Sequence, residues 1–259
     1  MESKEFNRKV QKLLNNLDAY PRLVEDGIVG PKTESALLKE LNETDSVEPE
    51  RPSPSTPGAK LLWYPLAETS GSQMKTRGTY AKGYPEGAVV HFTAGRDESE
   101  SDAKGSADYG VSQGYVFFVI GPTGKVYQRF PLNKWGYHAG TSSYPGLGSS
   151  VSSKVVGIEV ACAGKLDANR KSWFGKTYQS DDCRTVSSKE NVQGGTYKKF
   201  TEAQEKSLIQ LLTWLKNNNP EVFKIQYVIG HDEASPGRKN DPGGSLSMTM
   251  PELRRRLQG

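Results

Sequence analysis

The sequence predicts an α/β fold, a mixed central β-sheet flanked by helices, carried behind a small all-α unit. Three observations predict it: apolar residues at helical spacing near the start, a Pro-rich polar stretch after them, and β-branched and aromatic runs interleaved with a helix through the rest. In the first unit Phe6, Val10, Leu13, Leu14 and Leu17 share one helical stripe, and Pro31 suits the first position of a second helix whose Leu37, Leu38 and Leu41 can face it. The Asp26-Gly27 pair between them reads as a turn. Residues 43–60 hold four prolines and almost nothing apolar, the composition of a semi-extended linker. The expected organisation is a helical domain over 1–42, a linker over 43–60 and a main domain over 61–259. In the main domain "GAVVHFTAG" (87–95), "GYVFFVIGPTGKVYQRF" (114–130) and "VVGIEVACAG" (155–164) read as strands, the middle one folded into a hairpin at Pro-Thr-Gly. Residues 165–199 show little periodicity and read as a long loop. "TEAQEKSLIQLLTWLKNNNP" opens with Thr201 and Gln204 as a capping box and puts Leu208, Leu211, Leu212 and Leu215 on one face. "KIQYVIGH" is a last strand that ends at His231.

Composition narrows the partners. The chain has 259 residues with 34 basic and 30 acidic side chains, a formal net charge of +4 spread along its length; such a mild bias specifies no anionic ligand. The one dense basic run, "LRRRL" at 253–257, reads as the solvated face of a terminal helix, and no nucleic-acid partner is expected. No apolar run is long enough for a membrane span, and "MESKEFNRKVQ" does not read as a signal peptide. The expectation is therefore a protein made in a cytoplasm, without stable membrane insertion, and most simply a monomer. Two cysteines are too few for a disulfide framework. Cys162 reads as a buried thiol and Cys183 as a loop thiol.

The chemistry gathers around the histidines. Of three in the chain, His91 and His231 stand at the ends of apolar strands with small and polar residues close behind them, where a rigid element meets a solvent-open loop. A single histidine in that position is more often a hydrogen-bonded core residue. With Asp241, however, the pair makes a three-ligand set for Zn2+ that leaves a fourth position for water, a composition that suits hydrolysis. Glu159 is the one acid in the run "VVGIEVACAG"; a carboxylate buried in a strand is costly unless used, which makes it the candidate general base. Lys239, two residues before Asp241, could face a developing oxyanion or be an ordinary surface lysine. Tyr115 is most simply a core aromatic whose hydroxyl could also donate to an oxyanion.

Five ordered blocks, "VVHFTAG", "GYVFFVIGPTGKVYQ", "WGYHAG", "VGIEVACAG" and "IGHDEASPGRKNDPG", resemble the zinc-dependent N-acetylmuramoyl-L-alanine amidases of the type 2 amidase and peptidoglycan-recognition superfamily. The resemblance implies a metal held by His91, His231 and Asp241 and hydrolysis of the amide between N-acetylmuramic acid and L-alanine of the stem peptide. It implies Glu159 or Tyr115 as the proton-handling group, Lys239 as the oxyanion partner, and Trp135 and His138 as substrate-binding residues lining the groove. Residues 5–42 resemble the small peptidoglycan-binding domain attached to cell-wall hydrolases, so bacterial peptidoglycan is the implied partner. A binding module joined to such a hydrolase resembles a bacteriophage endolysin, which waits in the host cytoplasm until released to the wall. The competing reading is a peptidoglycan-recognition protein of the same fold without turnover.

Overall fold

The computed structural model of the protein describes residues 60–258 together with 4, 7–9, 11–12, 24–28 and 33. The chain divides into two compact units, Met1–Ala59 and Lys60–Gly259. In the first, residues 4, 7–9, 11–12 and 33 are helical. The buried Gln11 clamps the Asp26-Gly27 turn: its amide nitrogen donates to Asp26 Oδ1 at 3.0 Å and Ile28 O at 2.9 Å, and its oxygen accepts from Gly27 N at 2.8 Å. The apolar stripe from Phe6 to Leu17, the helix expected after Pro31 and the linker over 43–59 lie outside the described residues.

The strands of the second unit are, in chain order, β1 (Ala67–Glu68), β2 (Gly78–Thr79), β3 (Ala88–Phe92), β4 (Phe117–Ile120), β5 (Val126–Tyr127), β6 (Lys134–Trp135), β7 (Ser143–Tyr144), β8 (Gly148–Ser149), β9 (Val156–Val160), β10 (Lys165–Leu166), β11 (Cys183–Val186), β12 (Gly195–Lys198) and β13 (Val228–Gly230). Its α-helices are α1 (Glu100–Gln113), α2 (Glu202–Asn218), α3 (His231–Ala234) and α4 (Met250–Gln258). The central sheet is mixed, in the order β1-β5-β4-β9-β3-β13. The β4–β5 pair is antiparallel, the hairpin expected at Pro-Thr-Gly, and its other neighbours are parallel.

Alternation along the strands sorts residues onto two faces. Val90, Ile158 and Val228 enter the main core with Leu208, Leu211, Leu212 and Leu215 of α2 and Leu253 and Leu257 of α4. Val89 and Ile229 instead join Leu147, Val151, Val155 and Ala234 in a second cluster. His91 follows Val89 by two residues, so it shares the face of that second cluster. Glu159 stands opposite His91 in the β3–β9 register and lies on the same face. Thus one alternation buries a large apolar core on one side and sets an imidazole beside a carboxylate on the other.

Two stretches depart from the sequence reading. Residues 165–199 are not an unstructured loop: β10, β12 and β11 form an antiparallel sheet, and a tight hairpin closes between Lys171 and Thr177. Strands of two to four residues are too short to show periodicity. Helix α1 has no apolar stripe because it buries small residues, Ala103, Ala107 and Gly110. A Cβ on Gly110 would stand 2.8 Å from Phe117, so smallness, not hydrophobicity, fits this helix to the sheet. Its capping box, Ser99 with Asp102, was the readable signal. Cys162 is buried and free and Cys183, the first residue of β11, is half-buried and free; burial pushes the Cys162 thiol up to about 12. Among the described residues no helix is long and apolar enough to cross a membrane.

Candidate metal centre

The segment after β13 turns back on itself. Asp232 N donates to Asp241 O at 2.8 Å, which closes the Pro/Gly-rich loop and returns Asp241 to the side of His231. Within the loop Arg238 donates to Ala139 O at 3.0 Å and Ser235 Oγ at 2.7 Å, fastening it to the 138–141 segment. Glu233 in α3 accepts from Gly230 N at 2.9 Å and takes a two-pronged ion pair from Arg254 of α4 at 2.8 and 2.9 Å. His231 therefore sits on a helix start tied to a neighbouring helix.

Three donor atoms converge. His91 Nδ1 lies 3.0 Å from His231 Nδ1 and 2.9 Å from Asp241 Oδ2, and His231 Nδ1 lies 3.0 Å from the same oxygen. All three residues are buried, and they form the one group of His, Cys, Asp and Glu donors among the described residues arranged to hold a metal ion.

The second ring nitrogens decide what the triangle contains. His231 Nε2 donates to Ala139 O at 2.9 Å, which leaves Nδ1 of the neutral ring as a lone pair. His138 Nε2 donates to Val155 O at 3.0 Å, so His138 Nδ1 is an acceptor and takes the proton of His91 Nε2 at 3.1 Å. His91 Nδ1 is then a lone pair too. Carbonyls at Ala139 and Val155, acting directly and through His138, thus fix both tautomers so that two imidazole lone pairs and a carboxylate oxygen face one point. Three such groups about 3 Å apart repel one another unless a positive charge lies between them.

The electrostatics agree. Burial, with His231 next to it, lowers His91 to about 4 against the pull of Asp241, so the ring is neutral near pH 7. Burial and then His91 hold His138 well below its ordinary value. Burial alone would raise Asp241, yet contact with His231 and His91 outweighs it and keeps the carboxylate ionised. Glu159 is half-buried as a residue, but its Oε2 is shut off from solvent and makes no hydrogen bond among the described residues. Burial, with a smaller push from Asp241, raises Glu159 to about 8 while Lys239 opposes.

These residues line an open cleft of about 370 Å³ that contains His91, Thr93, Ala94, His138, Glu159, His231, Arg238, Lys239 and Asp241. Of the other residues expected at the site, one lies in the cleft and two do not. His138 lines the cleft, and His91 and Val155 engage both its ring nitrogens. Tyr115 is outside the cleft: it precedes β4, four residues and about 13 Å of extended chain from Val119, the partner of Glu159. Its ring is 39% exposed and leans on Tyr109, with centroids 6.3 Å apart, so it is not the buried core aromatic that was expected. Trp135 is in β6, half-buried beside Gly78 and Tyr137, and does not line the cleft.

Two residues that the sequence reading did not single out matter to the geometry. Ser152 Oγ accepts from the backbone of His138 at 3.2 Å and Ala139 at 3.0 Å, holding the segment that fixes both imidazoles. Gly157 lies beneath His138, where a Cβ would come 2.7 Å from the ring. A glycine inside a strand run was the trace of that close approach.

Among solved structures the fold is similar to a selenomethionine AmpD derivative (TM-score 0.47, 20% identity, 75% of this chain and 96% of that one). It is also similar to the N-acetylmuramyl-L-alanine amidase AmiD from E. coli (TM-score 0.44, 21% identity, 73% and 65%). A third likeness is to the endolysin N-acetylmuramoyl-L-alanine amidase LysCS from Clostridium intestinale (TM-score 0.45, 18% identity, 76% and 98%). No curated protein matches the sequence. The Amidase_2 family model, described as N-acetylmuramoyl-L-alanine amidase, matches residues 81–244. That span is more than half of the chain and contains the whole donor set, and the protein belongs to the N-acetylmuramoyl-L-alanine amidase family.

Proposed function

We propose that the protein hydrolyses the amide joining the lactyl group of N-acetylmuramic acid to L-alanine of the peptidoglycan stem peptide, with Zn2+ held by His91, His231 and Asp241. The observation that carries this reading is the meeting of two imidazole nitrogens and a carboxylate oxygen at 2.9–3.0 Å separations. Ligands about 2.0 Å from a tetrahedral centre stand roughly 3.3 Å apart, so the triangle fits with small adjustment. Two neutral imidazoles and one carboxylate also match zinc in ligand type and leave a position open to the cleft. When bound there, the ion supplies a Lewis acid for the carbonyl and for a nucleophilic water.

The remaining work falls to the chain. Glu159, beside His91 in register and lining the cleft, is placed to take a proton from water and return it to the leaving amine. Its place in the cleft supports it over Tyr115 for that role. Lys239 lines the same cleft and brings a cation to the carbonyl oxygen as it becomes negative. The polymer substrate, a wall-binding role for residues 1–42, tethering by the linker over 43–60, and service as an endolysin released from a host cytoplasm to the wall complete the reading. They rest on the sequence resemblance.

The test is digestion of isolated peptidoglycan sacculi with and without chelator. New L-alanine amino termini on intact glycan strands, lost with chelator and regained with zinc, are expected. New reducing ends in place of amino termini would overturn the assignment.

A further inference from the structure

The segment over 165–199 brings one side chain to the cleft that the reaction described above leaves unexplained. Trp173 is the most exposed large hydrophobic residue among those described, at 79%, although burying an indole is among the larger apolar gains open to a chain. It occupies the turn of the hairpin closed between Lys171 and Thr177, where Ser172 N donates to Lys176 O at 2.8 Å and Gly175 N to Ser172 O at 2.9 Å. Its indole nitrogen donates to Ala94 O, and Ala94 lines the cleft. The ring therefore stands one hydrogen bond beyond the wall that begins at His91.

The hairpin is fixed there. Phe174, next in sequence, packs on the cluster of Ala163, Leu166 and Tyr178, with Arg96 across its ring. Tyr178 donates its hydroxyl to Asp97 Oδ1 at 2.8 Å, Ala163 N donates to Asp97 Oδ2 at 3.2 Å, and Lys176 pairs with Glu98 at 2.9 Å. Neighbouring residues thus divide the work: Phe174 anchors the turn in a small core and Trp173 is held outward by its N–H. An aromatic ring oriented in advance loses little freedom when a ligand covers it.

We infer that Trp173 is a stacking platform for the muramyl pyranose of the substrate, beside the bond that is cut. This rests on the amidase reading. On one side of that bond lies a pyranose, rigid and with C–H groups on its face; on the other lies an alanine methyl, too small to cover an indole. The electron-rich face of an indole matches polarised C–H groups.

The test compares two soluble substrates with the same stem peptide, an N-acetylmuramoyl-peptide and the corresponding N-lactoyl-peptide that lacks the sugar ring. In W173A, kcat/KM is expected to fall roughly tenfold on the first, the loss of one stacking contact, and less than twofold on the second. W173Q keeps an N–H donor for Ala94 without the ring and is expected to behave as W173A, whereas W173F retains most of the preference. Zinc content and Tm, measured on each variant, separate a loss of contact from a loss of fold. Equal losses on both substrates would assign Trp173 to holding the Ala94 wall, and no loss on either would deny the contact; both overturn the inference while the amidase reading stands. Cleavage of neither substrate by the wild type overturns that reading and this inference with it.

Discussion

Leaving Oε2 of Glu159 buried and without a hydrogen bond has a measurable consequence in metal-free protein. Its folded-state pKa of about 8 lies above the ordinary 4.5, so between those values the folded chain holds a proton that the unfolded chain has released. Stability is then highest below pH 4.5, as far as this group is concerned, and falls as pH rises through 8. E159Q removes that slope: chelated E159Q is expected to exceed chelated wild type in unfolding free energy by a few kcal/mol above pH 8, by rough conversion of the shift, and to match it near pH 4.5. Denaturant titrations at the two pH values check this. With zinc restored, the same variant should keep its metal and lose about 100-fold or more in kcat. His138 gives the complementary result, because removing the acceptor of His91 Nε2–H frees the tautomer that presents Nδ1. H138A is expected to weaken zinc binding by about 10–100-fold, read by competition with a chromophoric chelator; unchanged affinity would return His138 to the role of a substrate contact. The convergence of His91, His231 and Asp241 was legible in the sequence because two histidines at strand ends and an Asp on the following loop make a donor set together that none makes alone. What His138 does was not, since its meaning depends on Val155 O, a backbone atom that carries no sequence signature.

At the scale of elements, strand β9 does two jobs through alternating residues. Ile158 and Val160 seal the main core, while Gly157 and Glu159 face the site. G157A tests the division: alanine is ordinarily no worse than glycine in a strand, yet here its Cβ would meet the His138 ring at 2.7 Å. The expected outcome is a loss of about 1–3 kcal/mol in stability together with weaker zinc binding, measured by denaturant melts and metal competition on the same preparation. Helix α2 offers a control far from the chemistry. Thr201 closes a reciprocal cap with Gln204 and also donates to Pro122 O at 2.8 Å; T201A should cost about 1 kcal/mol and leave metal affinity as it was. Both β9 and α2 were readable from hydrophobic spacing, which is strong where an element buries large side chains on one side. Helix α1 and the small sheet of β10–β12 escaped because small residues and short strands leave no such spacing. Tyr115 and Trp135 do not line the cleft, because neither a strand-like run nor a matching block fixes how far along the sheet each residue stands.

For the whole catalytic unit, the donors come from distant parts of the chain: His91 and His231 are 140 residues apart and His91 and Asp241 are 150. Zinc at 100 times its Kd is expected to raise unfolding free energy by about 2.7 kcal/mol, seen as a higher Tm than in chelated protein. Each donor is braced by protein partners, Val155 through His138, Ala139, and the Asp232–Asp241 backbone bond. The sheet and its loops thus hold all three donors. Closing contacts between such remote segments is slow and comes late along the route to the native state. Added zinc should therefore leave the refolding arm of a chevron plot where it was and lower the unfolding arm, prolonging the lifetime of a hydrolase already formed without hastening its birth.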